Sequence, residues 1–152
     1  MKTKQFLTIT ALVLMIVMMA VPSPVQATSP EDDLAISANM TLGLDGTSAE
    51  GTFTISSSLF PTDSGTAYET FQINLDDMTI HGVKTLTGAN GTIVLKFQAS
   101  ITQEGVIGRF VIISGTGAYE KLHGVGDTFA VMDYGNMPPT LFASYTGQAH
   151  ID

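Results

Sequence analysis

The residues of this chain that could do chemistry are few and scattered. Its three histidines are His81, His123 and His150, and no H-x-H, H-x-x-H or HExxH pair links any two of them. Close ligand spacing is what makes a zinc or copper site legible in a sequence. The expectation is therefore no metal and no cofactor. Asp76-Asp77 lacks the D-x-D-x-D-G order of a calcium loop and reads as a hairpin turn. Ser114 lies outside any G-x-S-x-G setting, so no nucleophile is marked and catalytic residues stay unassigned. What remains is a set of polar groups that a β-fold could turn toward an apolar interior. A carboxylate or phenol placed there shifts in pKa and can steer a ligand. Tyr68, Glu69, Tyr134 and Tyr145 are the inward candidates. Tyr119 and His123 join them as candidate ligand-binding residues from a glycine-rich stretch.

That stretch, ISGTGAYEKLHGVGDTF, runs from Ile113 to Phe129. A phosphate-binding glycine loop needs a helix N-terminus behind it. Here the pattern that follows is a strand, so the glycines read as a conformational corner. Gly115 and Gly117 allow positive φ or close backbone approach. Thr116 can bond its hydroxyl to nearby backbone. Tyr119 and Leu122 are placed to cap an apolar end.

The elements around these residues follow a period of two. Leu34, Ile36, Ala38, Met40, Leu42 and Leu44 share one phase, and Asp45-Gly46 supplies a turn. Phe53, Ile55, Ser57 and Leu59 alternate next, then PTDSG (Pro61 to Gly65) reads as a loop. Phe71, Ile73 and Leu75 precede a change of phase at Asp76-Asp77, after which Met78 and Ile80 carry the pattern. Ile93, Leu95, Phe97, Ala99 and Ile101 alternate most cleanly. Val106 to Ile113 is apolar on both phases apart from Gly108 and Arg109, which suits a more covered strand. Strands through Phe129–Tyr134 and Leu141–Ile151 close the chain, with Asn136–Pro139 as a loop. About eight strands with short turns imply an antiparallel barrel or sandwich.

The N-terminus carries Lys2 and Lys4, an apolar run from Phe6 to Val21, and Val25-Gln26-Ala27 with small residues at −3 and −1. These are the parts of a signal peptide spanning 1–27 and cleaved after Ala27, which predicts a secreted, periplasmic or extracellular product. Residues 28–33 read as a disordered leader and 34–152 as a single β-barrel domain. No second apolar segment is long enough to span a membrane as a helix. All 14 acidic residues lie beyond the signal, against four of the six cationic ones. Such a charge disfavours nucleic acid as a partner. With no cysteine there is no disulfide framework, and the fold must rest on its core.

Ser114-Gly115-Thr116-Gly117-Ala118-Tyr119, followed by Leu122-His123-Gly124, resembles the glycine corner of the allene oxide cyclase and dirigent barrels. It is also similar to the S-G-T-G-x-L-x-G-L-x-G run of small bacterial secreted barrel domains of unknown function. His81-Gly82, Thr85 to Gly88 and Gly91 to Leu95 resemble that superfamily's central hairpin. The resemblance implies an all-β, eight-stranded antiparallel up-and-down barrel. It does not carry over the plant cyclase's catalytic carboxylate or the dirigent aspartate pocket, whose surrounding motifs are not visible here. The function expected is non-catalytic binding of a small hydrophobic molecule or a protein partner. The alternatives are an isomerase or cyclase acting on a small hydrophobic substrate inside the barrel, and a structural envelope component that forms a homo-oligomer. An open cavity with Glu69 or a Tyr inside would favour the cyclase. An interior filled by Phe53, Phe71, Phe97 and Phe110 would count against a ligand within the barrel.

Overall fold

A computed structural model describes residues 31–152. The signal segment and residues 28–30 of the leader lie outside the described residues. Eight strands follow in order: β1 (Asp32–Leu42), β2 (Ser48–Ser57), β3 (Asp63–Asn74), β4 (Thr79–Gly88), β5 (Gly91–Ile101), β6 (Val106–Gly115), β7 (Leu122–Asp133) and β8 (Thr140–Ile151). Each pairs antiparallel with the next, and β1 also pairs with β8, closing the sheet into a barrel. A 3-10 turn, Gly117–Tyr119, links β6 to β7. No described helix is long and apolar enough to cross a membrane.

The structure departs from the sequence expectation at several points, β7 among them, which begins at Leu122 rather than near Phe129. β1 starts at Asp32 rather than Leu34, because Asp32 and Asp33 pair with Ala149 and Gln148. The Gln148 amide also donates to Asp33 Oδ1 at 2.7 Å. β3 starts at Asp63, inside the stretch that reads as a loop. β6 is not covered on both faces: Phe110 and Ile112 are buried, while Ile107, Val111 and Ile113 face outward and are exposed.

Alternation does the rest. Leu34, Ile36, Ala38 and Met40 point inward from β1, and Leu141, Ala143, Tyr145 and Ala149 from β8. Phe53, Phe71, Phe97 and Phe110 are all buried and fill the interior together with Ile55, Leu86 and Leu95. Burying an aliphatic or aromatic side chain of this size contributes about 1.5–3 kcal/mol. The cost of a polar residue inside such a core is correspondingly plain.

One end of the barrel is sealed by the glycine corner. Gly117 has φ +63°, a conformation that strains other residues, and a Cβ on Gly115 would collide with the Tyr119 carbonyl. Thr116 joins the corner to β5, its Oγ1 accepting from the Thr92 N–H at 3.0 Å. The turn thereby drives Tyr119 fully into the interior, edge-on to Phe60 with centroids 5.0 Å apart. Its hydroxyl donates to Asp63 Oδ2 at 2.9 Å. Asp63 also accepts from the N–H groups of Ser64 (2.8 Å), Ala89 (3.1 Å) and Asn90 (3.0 Å). One carboxylate thus ties together the start of β3, the β4–β5 turn and the corner.

The Asn90 N–H holds the Asp63 carboxyl below its ordinary value against the opposing effect of burial, helped by Tyr119, Ser64 and Ala89. Burial, then the bond to Asp63, pushes the Tyr119 phenol up to about 12. A carboxyl whose folded pKa lies below the unfolded one stabilises the fold above the unfolded value. That stability is lost as pH falls through the folded value. The melting temperature is therefore expected to fall as pH drops from about 5 to about 2. Asp63→Asn should melt lower than the parent at neutral pH and lose less on acidification. Equal acid sensitivity in both proteins, read by thermal melting, would refute this role.

Candidate binding site at the open end of the barrel

The opposite end is built differently. It is ringed by the loops 43–47, 75–78, 102–105 and 134–139. Below them lies a small cavity of about 30 Å³. Its apolar wall includes Leu42, Ile80, Val106, Met132 and Leu141, all within two residues of a strand end beside those loops. Phe71 and Phe97 form its depth, and Glu69, Thr128 and Tyr145 supply the polar groups. A volume of that size holds about one water molecule. Larger hollows lie on the outer surface, such as one of about 580 Å³ between His81, Lys96, Gln98 and Arg109. That hollow is open to solvent and follows from the bare backbone at Gly82, so the interior polar cluster is the more specific feature.

Sheet register assembles the cluster. Glu69 on β3 and Lys84 on β4 are direct cross-strand partners, and Lys84 Nζ lies 2.9 Å from Glu69 Oε2. Tyr145 on β8 is the direct partner of Thr128 on β7. Lys84 reaches across the interior, its Nζ donating to Met40 Sδ at 3.1 Å and lying 4.8 Å from the Tyr145 ring centroid. Phe110 backs that ring edge-on at 5.4 Å. Lys84 is fully buried, and Glu69, Tyr145 and Thr128 are each at most 5% exposed. Among the described residues no buried side-chain nitrogen or oxygen is left without a partner.

The electrostatics follow from the pairing. Burial alone would push the Lys84 ammonium down, but attraction from Tyr145 and Glu69 outweighs it and holds the pKa above its ordinary value. Burial pushes the Tyr145 phenol up, opposed by the charge on Lys84. The pairing sets the Lys84 ammonium against the Glu69 carboxyl, with the Tyr145 ring beside them. It can orient a polar group at the cavity floor. Glu69 is not a free base, because Lys84 already holds its carboxylate.

The six residues singled out in the sequence do not form one site. Glu69 and Tyr145 meet at the cavity as expected of inward groups. Tyr119 is inside but at the sealed end. Tyr68 and Tyr134 do not point inward: they are 52% and 71% exposed. Tyr68 directly precedes inward Glu69 on β3, and neighbours on a strand face opposite sides. Tyr134 lies just beyond β7, where its hydroxyl donates to Met132 Sδ at 3.1 Å. His123 is on the outer face, beside His150 and Asp152. Lys84, Thr128 and Asp63 escaped the sequence reading. Lys84 was legible in principle, because it shares the phase of Ile80 and Leu86 on β4.

A buried ion pair stands at a desolvation cost of several kcal/mol per ion, so losing one partner is worse than losing both. Lys84→Met is expected to destabilise the protein by about 3–5 kcal/mol, with Lys84→Met/Glu69→Leu recovering most of that loss. Urea unfolding of the two variants measures it. A double variant as unstable as the single one would show that the pair is not the source of the loss.

No protein-family model matches the sequence, and no curated protein matches it. A solved structure of the pterocarpan synthase dirigent protein GePTS1 is similar to the chain, with a TM-score of 0.47 and 14% sequence identity. The match covers 86% of this chain and 98% of that one. The chain's own strand pairing shows the closed, eight-stranded antiparallel barrel that the glycine-corner resemblance implied.

Proposed function

We propose that the protein is an exported, non-catalytic binding barrel that receives the narrow apolar end of a small molecule at its open mouth. The observation that carries this reading is the asymmetry of the two ends. One end is sealed by Tyr119 and Asp63. The other is an apolar cup over the Glu69–Lys84–Tyr145 cluster. Leu44, Leu75, Met78, Tyr134 and Met137 are exposed in or just beside the loops of that end, as suits a rim that meets apolar matter. The four interior phenylalanines leave no room for a whole substrate, so a bound molecule is confined to the mouth. Met132, an unbranched and adaptable side chain, lines the cup. The small volume of that cup and the pairing of Glu69 with Lys84 support binding over an isomerase or cyclase working within the barrel. Export rests on the signal segment, and the exported product is expected to begin at Thr28.

A second reading is favoured by a separate observation. Ile107, Val111, Val125, Phe129, Val131 and Phe142 are exposed on the outer face of β6, β7 and β8. Apolar residues clustered in this way mark contact surfaces. On this reading the barrel acts from its outside, through a protein partner or as a homo-oligomer.

Titration with the apolar fluorophore N-phenyl-1-naphthylamine distinguishes the two. The mouth reading predicts saturable, micromolar binding that is lost in Met132→Trp, which fills the cup, and retained in Phe129→Ser on the outer face. Circular dichroism checks that both variants fold. Dye binding that is absent, or lost only in Phe129→Ser, overturns the mouth reading.

A further inference from the structure

We propose that the outer face of β6 and β7 is the contact surface for a second copy of this chain, in a face-to-face dimer about a two-fold axis parallel to those strands. This rests on the outer-face reading of function and names its partner. The β6–β7 register sets three outward pairs in succession. Ile107 stands opposite Phe129, Arg109 opposite Asp127, and Val111 opposite Val125. The four apolar side chains are exposed, and between them sit one cation and one anion. Arg109 Nε lies 3.9 Å from Asp127 Oδ1, and both side chains are 81% exposed. That separation is too long for a hydrogen bond, so each group keeps its capacity for a partner outside its own chain.

The face is self-complementary. A two-fold axis centred between β6 and β7 lays β6 of one copy over β7 of the other, at the same level along the strand. Arg109 then meets the partner's Asp127, and Asp127 meets the partner's Arg109. Ile107 lies over the partner's Phe129, and Val111 over the partner's Val125. The flanking strands agree. β5 comes toward the partner's β8, with Gln98 facing the partner's Thr146 and Lys96 facing the partner's Gln148. No like charges meet in these rows. Curvature of the barrel confines the closest contact to β6 and β7, where the apolar and charged pairs are. The chain as a whole is acidic, with a net charge of −8, so two copies repel one another over most of their surface. In these rows Asp127 is the one acidic side chain, against Lys96 and Arg109.

A purely apolar partner would desolvate Arg109 and Asp127 and return nothing to either. A second copy gives each an opposite charge, and the matching charges fix the register of the contact. None of the six central residues lines the cavity beneath the mouth, so dimerisation and dye binding at the mouth are independent readouts.

Sedimentation velocity on the chain from Thr28 onward, which contains the whole closed barrel, tests the proposal. A dimer of micromolar affinity is expected, weakening as salt is raised. Arg109→Asp and Asp127→Arg each set like charges against one another across the axis. Each should weaken the dimer about a hundredfold. Both positions are exposed, and circular dichroism checks that both variants fold. Mixed in equal amounts, the two variants should recover a dimer, because each then faces charges opposite to its own. Contacts within one chain cannot produce that recovery. A parent that stays monomeric at near-millimolar concentration overturns the proposal and leaves the outer face to a different protein. A parent dimer untouched by either charge reversal, or a mixture that stays monomeric, overturns this geometry while a homo-oligomer of another kind stands.

Discussion

Strand β1 pairs with β8 from Asp32 opposite Ala149 to Thr41 opposite Thr140. That seam closes the sheet, and closure gives every strand one face that water cannot reach. A slip of one residue along it would expel Ile36 and Met40 and bring in Ser37 and Asn39. The inward set is apolar almost throughout, so the register is strongly fixed. The same alternation decides the fate of each polar residue. Glu69, Lys84, Thr128 and Tyr145 fall on inward phases and must satisfy one another, because no solvent is available to do so.

Within the closed wall the two ends diverge. At one, a glycine corner folds Tyr119 inward and Asp63 gathers its hydroxyl and three backbone N–H groups. At the other, the aliphatic wall faces four loops, and among the described residues no buried carboxylate gathers them as Asp63 does. The ion pair lies between, with Glu69 lining the small cavity on the loop side and Lys84 fully buried. A well-packed apolar pair of similar volume would serve stability as well or better. Within the charged pair, Glu69 lines the cavity beneath the open end together with Tyr145 and Thr128.

The strands were legible because alternation is a direct image of closure: Leu34 to Met40, Phe53 to Ile55 and Ile93 to Ala99 all read correctly. The corner was legible because its glycines answer local backbone demands at Gly115 and Gly117. Other features depend on distance rather than pattern. Asp63 looks like a loop residue in PTDSG, and its role appears only when the β4–β5 turn and Tyr119 are brought to it. Lys84 occupies an inward phase, but lysine ordinarily reads as solvent-facing, and its partner Glu69 lies 15 positions back across a hairpin. Tyr68 and Glu69 could not both point inward, and sequence alone does not choose between them. His123 and His150 become neighbours only through the β7–β8 register.

The central claim is that a charged, paired lysine sits in a closed barrel beneath an open mouth. Nitrogen-detected NMR of the lysine ammonium groups addresses it most directly. The account predicts that Lys84 Nζ gives a slowly exchanging ammonium signal, scalar-coupled through a hydrogen bond to Glu69, that persists above the ordinary lysine pKa of 10.5. A Lys84 signal that exchanges with water as fast as that of exposed Lys96, or that deprotonates below that value, would contradict it.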